Sequence, residues 1–175
     1  MGEKVFTKGY KHNLAYHLDQ YFKSAGIDLE VREEYSTWIG PERNQIDIAI
    51  RKVDDEQLLI GIELEIISDT NQVLINYDKF KRWVHASPNR KRGLLQLFAT
   101  ESKPRLHDYY DLVAKSYDDC RKNLNFWYEY MIFDIQDFRR YRAETQRVIE
   151  ESVEFDVRLF ALVWKVFGKK YLPSK

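Results

Sequence analysis

Three carboxylates interrupt the most aliphatic runs of this chain. In residues 44–83, NQIDIAIRKVDDEQLLIGIELEIISDTNQVLINYDKFKRW, Asp47 interrupts one isoleucine-rich run, and Glu63 and Glu65 lie two apart in the next. Acidic residues are depleted in strands and rarely buried without a partner. Such acids have something to bind. Carboxylate oxygens suit a hard divalent cation such as Mg²⁺, which takes one or two of them and keeps several waters. The plainer alternative is a wet sheet face on which Glu63 and Glu65 pair with Arg51 or Lys52 across a hairpin.

The elements that must position these acids follow from hydrophobic periodicity. Alternation makes both runs strands, joined by a turn near Asp54-Asp55. It sorts Ile46, Ile48 and Ile50 to one face and Asp47, Ala49 and Arg51 to the other. In the next strand Leu58, Ile60, Ile62, Leu64 and Ile66 share a face, which leaves Glu63 and Glu65 side by side on the opposite one. Upstream, Tyr10, Leu14, Leu18, Tyr21 and Phe22 recur at helical spacing and predict a helix over 8–25, stopped by Gly26. Residues 27–38 alternate as a strand, with Leu29, Val31, Glu33 and Tyr35 on one face and Glu30, Arg32, Glu34 and Ser36 on the other, and 39–43 form a turn. Downstream, a helix is expected over 71–85, capped from 68–70, burying Tyr77, Phe80 and Val84 and displaying Lys79, Lys81 and Arg82. The run GLLQLFAT at 93–100 suits a strand buried on both faces. A second amphipathic helix over 105–124, an aromatic strand over 125–135, a charged helix from 137 and an apolar one over 155–167 complete the chain. The expected architecture is a single α/β domain over 1–175, a mixed sheet flanked by helices.

This order, with acids on the second and third strands, resembles the PD-(D/E)XK nuclease superfamily, the restriction-endonuclease-like fold. The resemblance covers a core at 8–100 and leaves 101–175 as a C-terminal extension of the same domain. In that superfamily an Asp early in the second strand and a D/E-x-K on the third hold one or two magnesium ions. Asp47 takes the first position and Glu63-Leu64-Glu65 the second, so Glu65 replaces the usual lysine; some restriction endonucleases carry the same E-x-E. The resemblance implies a Mg²⁺- or Mn²⁺-dependent endonuclease that hydrolyses DNA phosphodiester bonds, with Asp47, Glu63 and Glu65 catalytic and metal-holding. Hard cations neutralise the phosphate and prepare a water for in-line attack. Glu65 is suited to holding a second ion or accepting the water's proton. Glu34, followed by Tyr35, fits the acid-aromatic pair often found on the first strand and is the expected additional metal ligand, with Glu33 as its alternative. Members of the superfamily also move motif residues onto the next helix, which makes Lys79 and Asn76 accessory candidates. The plain reading of Lys79 is an exposed helix lysine.

Basic residues gather at 79–92 and 139–147. Lys81, Arg82, Arg90, Lys91 and Arg92 are the expected nucleic-acid contacts, and Phe80 and Trp83 are interleaved where bases could stack. A homodimer would suit cleavage of both strands. The other reading is a catalytically inactive relative that binds nucleic acid or a protein partner.

Composition bounds the rest. With 175 residues, 44% of them hydrophobic, the chain can bury a substantial core. A lone cysteine, Cys120, excludes a disulfide framework and a cysteine metal site. No apolar stretch reaches membrane-span length and the first residues lack a signal-peptide core, so a cytoplasmic location is expected. Lys plus Arg and Asp plus Glu both number 28, and that balance is compatible with an acidic site offsetting a basic surface. No phosphate-binding glycine loop, nucleophile elbow or H-E-x-x-H zinc spacing occurs.

Overall fold

The computed structural model describes residues 2–39, 41–67, 70–100, 125–134 and 153–173, with isolated positions at 111, 114, 115 and 118, all four helical. The rest of the helix expected over 105–124, the charged helix from 137, the basic cluster at 139–147, and the Ser68 and Asp69 cap lie outside the described residues.

Helix α1 (Gly2–Ser24) carries Tyr10, Leu14, Leu18 and Phe22 on one buried stripe. It ends where expected. Gly26 takes a φ of 64°, and the N–H groups of Gly26 and Ile27 return to the carbonyls of Lys23 and Phe22, satisfying the last turn. Strands β1 (Glu30–Ile39), β2 (Glu42–Lys52) and β3 (Asp55–Ile67) form an antiparallel meander. Helix α2 (Thr70–Ala86) then crosses to β4 (Arg92–Thr100), parallel to β3, and β5 (Phe126–Asp134) runs parallel beside β4. The strand order is β1-β2-β3-β4-β5. After β5 come helix α3 (Val153–Phe167) and a short 3₁₀ turn, Lys169–Tyr171. The chain is thus a mixed α/β fold, a five-stranded sheet with helices on both faces, as its periodicity predicts.

The two faces of the sheet differ in chemistry. On one, Ile48, Ile50, Ile60, Ile62, Leu64, Leu95 and Leu97 pack against α1 and α3 in a continuous apolar core. On the other, Ala49, Leu59, Leu94 and Phe98 meet Tyr77, Phe80, Trp83 and Val84 of α2. The close approach of α2 requires Gly61, since a Cβ there would overlap the ring of Phe80. Central strand β4 is buried on both faces, as GLLQLFAT suggests, and Gln96 is fully enclosed within it.

One local departure sets up the site. Strict alternation puts Tyr35 with Val31 and Glu33, and Ile46 with Ile48 and Ile50. Instead, Val31, Ile48 and Ile50 pack on the α1 side, whereas Tyr35 and Ile46 pack on the α2 side. The switch falls at Glu34, whose φ of 51° lies in the left-handed region, and at Asp47, opposite it in the β1–β2 register. A single left-handed residue rotates the strand enough to exchange its faces, and the paired strand follows.

Candidate active site

Strands β2 and β3 part at the same point. Their pairing runs from Lys52↔Asp55 to Ile48↔Ile62, and beyond it β3 is paired with β4 through Thr100. Continuing the register by one residue sets Asp47 against Glu63. Within this fork the Leu64 N–H has no ladder carbonyl on β2, and it donates instead to Asp47 Oδ2 at 3.0 Å. The backbone donor is satisfied, as burial demands. The other Asp47 oxygen, Oδ1, accepts from Lys11 Nζ of α1 at 2.8 Å.

Glu63 and Glu65 project to the α2 side, as alternation predicts. Glu63 is only 3% exposed. Its Oε1 accepts from Lys79 Nζ at 2.6 Å, and the same ammonium donates to the Gln45 carbonyl at 2.9 Å. Lys79 is therefore not the exposed helix lysine of the plain reading: it is 8% exposed and aimed into the fork. Asn76, one turn earlier on α2, donates to Glu65 Oε1 at 2.8 Å, and Gln96 of β4 donates to the same oxygen at 3.0 Å. The Gln96 carbonyl in turn accepts from the Tyr128 hydroxyl of β5 at 2.7 Å, which orients the amide. Both residues named as accessory thus converge on the acids.

Burial dominates the electrostatics. It raises Glu63 to about 7, with Lys79 opposing and the Asp47 and Glu65 charges adding to the rise. It raises Glu65 also to about 7, against the two amide donors and with Asp47 again adding. The three carboxylates are within one another's electrostatic reach. In charge and atom type they fit a hard divalent cation. Among the described residues, however, no three His, Cys, Asp or Glu side chains converge closely enough to hold an ion. The ammonium groups of Lys11 and Lys79 stand against the carboxylates of Asp47 and Glu63.

The remaining candidates divide. Glu34 is exposed, and its left-handed backbone removes it from the strand's alternation. The neighbouring Glu33 meets His12 Nδ1 of α1 at 2.9 Å. Arg82, Arg90 and Lys91 are exposed and Lys81 is half-buried. Arg92 is a correction: it is fully buried at the start of β4, its guanidinium 4.5 Å from the Trp83 ring centroid, so it is no surface contact. Burial also lowers its pKa to about 10. Phe80 and Trp83 are core residues packed edge to face and offer no stacking surface.

Lys11, Gln96 and Tyr128 were not indicated by any motif. Gln96 carried a signal, because a lone amide inside an apolar run needs a buried partner. Lys11 carried none: it lies 36 residues from Asp47 on a helix whose polar face looks ordinary. No protein-family model, curated protein or solved structure matches this chain.

Proposed function

We propose that this chain is a metal-dependent nuclease of the restriction-endonuclease-like class, hydrolysing phosphodiester bonds in DNA. The observation that carries this reading is the gathering of Asp47, Glu63 and Glu65 at the fork between β2 and β3, with Lys79 supplied from α2 where the strand motif lacks its lysine. A buried glutamate beside two half-buried acids is unusual in a structural sheet, and perturbed groups such as Glu63 and Glu65 concentrate at functional sites.

In this reading Asp47 and Glu63 would hold Mg²⁺ or Mn²⁺, which would supply charge neutralisation at the phosphate and a more acidic water. Glu65, held through Oε1 by Asn76 and Gln96, keeps Oε2 for the proton of the attacking water or for a second ion. Lys79 fixes Glu63 and brings a positive charge to a site that must accept an anionic substrate. Arg82, Arg90 and Lys91 supply exposed cations for the DNA backbone, and the exposed Trp38 of β1, paired in register with Arg43, offers a stacking surface.

The test is cleavage of phage genomic DNA in Mg²⁺ and in Mn²⁺, with binding measured in Ca²⁺. Cleavage is expected in the wild type and is abolished by Asp47→Asn and Glu65→Gln, while binding persists in both. Binding without cleavage by the wild type would mark an inactive relative. Neither cleavage nor binding, on DNA or RNA, would overturn the reading.

A further inference from the structure

We infer that Lys11 is a displaceable counter-cation of the site: it holds Asp47 through Oδ1, and would yield that oxygen to a divalent ion and turn to the substrate phosphate. The inference rests on the nuclease reading and extends it to a residue that the strand motif does not contain.

Asp47 has two oxygens and both are engaged. Oδ2 takes the Leu64 N–H, and Oδ1 takes the Lys11 ammonium at 2.8 Å. The first partner is backbone and fixed by the β3–β4 ladder, which pairs Leu64 with Leu97. The second is the tip of a flexible four-carbon side chain from a separate helix. An ion bound through Oδ1 would set a second cation on the oxygen that Lys11 holds, and the two like charges would compete for it. Both side chains are mostly enclosed, at 16% exposure for Lys11 and 21% for Asp47, so the ammonium does not swing out into bulk water at no cost. The nearest stable place for it is a new anion at the same fork. A bound phosphodiester supplies one.

Lys79 differs in kind. It is tied to the Gln45 carbonyl as well as to Glu63, and lies deeper. It is a fixed cation, whereas Lys11 is a movable one. The two lysines approach from opposite faces of the sheet, α1 and α2, onto acids that face each other across the fork.

The experiment uses the full chain and Mn²⁺ alone, with affinity measured by electron paramagnetic resonance of the free ion. Removing the ammonium that competes for the ligand is expected to tighten Mn²⁺ binding about tenfold in Lys11→Met, and by less in Lys11→Gln. DNA cleavage by both variants should show a raised KM. A merely structural lysine would give lower thermal stability with unchanged or weaker Mn²⁺ affinity, and that result overturns the inference. Lys11→Gln guards against misfolding of the methionine variant, because its amide can still donate to Asp47. Asp47→Asn separates the two levels. If it leaves Mn²⁺ binding intact, the metal site is elsewhere and the nuclease reading falls with it. If it abolishes binding while neither Lys11 variant tightens it, only the role given to Lys11 is lost.

Discussion

The two halves of β3 obey different rules. From Leu59 to Ile62 the strand is paired on both sides, to β2 and to β4, and its side chains are aliphatic apart from Gly61. From Glu63 to Ile67 its ladder is with β4, and Glu63 and Glu65 stand on the α2 side. The first half is held by burial and a complete ladder. In the second, the departure of β2 leaves room and a backbone donor: Asp47 of β2 takes the donor, and side chains from α1, α2, β4 and β5 fill the room. Polar groups gather where the ladder opens. The sheet thereby builds a site without interrupting its hydrophobic core, since Ile62 and Leu64 still face α1 and α3.

The comparison breaks hardest at Lys79. Replacing it with Met strips Glu63 of its buried partner, and at pH 8 this should cost about 3–5 kcal/mol, the usual penalty for leaving one member of a buried ion pair. At pH 5 the cost should be much smaller, because Glu63 can then take a proton. Urea unfolding at both pH values measures it, and an equal loss at both would mean that Lys79 stabilises by packing alone.

The closed half should behave in the opposite way. Ile60→Ala removes a fully buried side chain and is expected to lose about 2–5 kcal/mol, with no dependence on pH. A strong pH dependence in this variant would show that the halves are not independent.

The wild type itself should register the open half. Glu63 and Glu65 titrate near 7 in the folded chain, against 4.5 for an ordinary glutamate. Between these values the folded state binds more protons than the unfolded one, so stability falls as pH rises through the window. Below about 4.5 the contribution is fully present, and above about 7 its loss is complete. Either group alone accounts for at most about 3 kcal/mol. Saturating Mn²⁺ should flatten the profile, which thermal melts from pH 4.5 to 8 would reveal.

The smallest effect belongs to Tyr128→Phe. It removes the hydroxyl that orients Gln96, and should cost about 1 kcal/mol of stability. If the chain of hydrogen bonds serves Glu65, its cleavage rate should fall with KM unchanged; an unaltered rate would confine Tyr128 to packing.

Much of this arrangement was legible from spacing. Alternation through Ile60, Ile62 and Leu64 forces Glu63 and Glu65 onto one face, and no tertiary information is needed to see it. The helix stop at Gly26 and the doubly buried β4 were equally local. What periodicity could not reveal was the exchange of faces at Glu34 and Asp47, because a left-handed glutamate has no distinctive sequence signal. Alternation accordingly puts Tyr35 and Ile46 on the wrong side. The same limit hid Lys11, whose partner is set by how α1 lies across the sheet, and misplaced Arg92, whose charge suggested a surface that the start of a central strand does not provide. Burial of Lys79 likewise depends on the seating of α2.

That seating has a mechanical side. Phe80 rests on Gly61 with no space for a methyl group, and Lys79 is its neighbour along α2. The glycine therefore works as a gauge block, setting the standoff between helix and sheet. Any larger residue at position 61 would press first on the buried Phe80 ring and so disturb the seating of α2, and a hydrogen bond weakens steeply over a fraction of an ångström. A library randomised at position 61 and sorted only for well-folded protein would thus also be sorting, unseen, for an intact grip of Lys79 on Glu63.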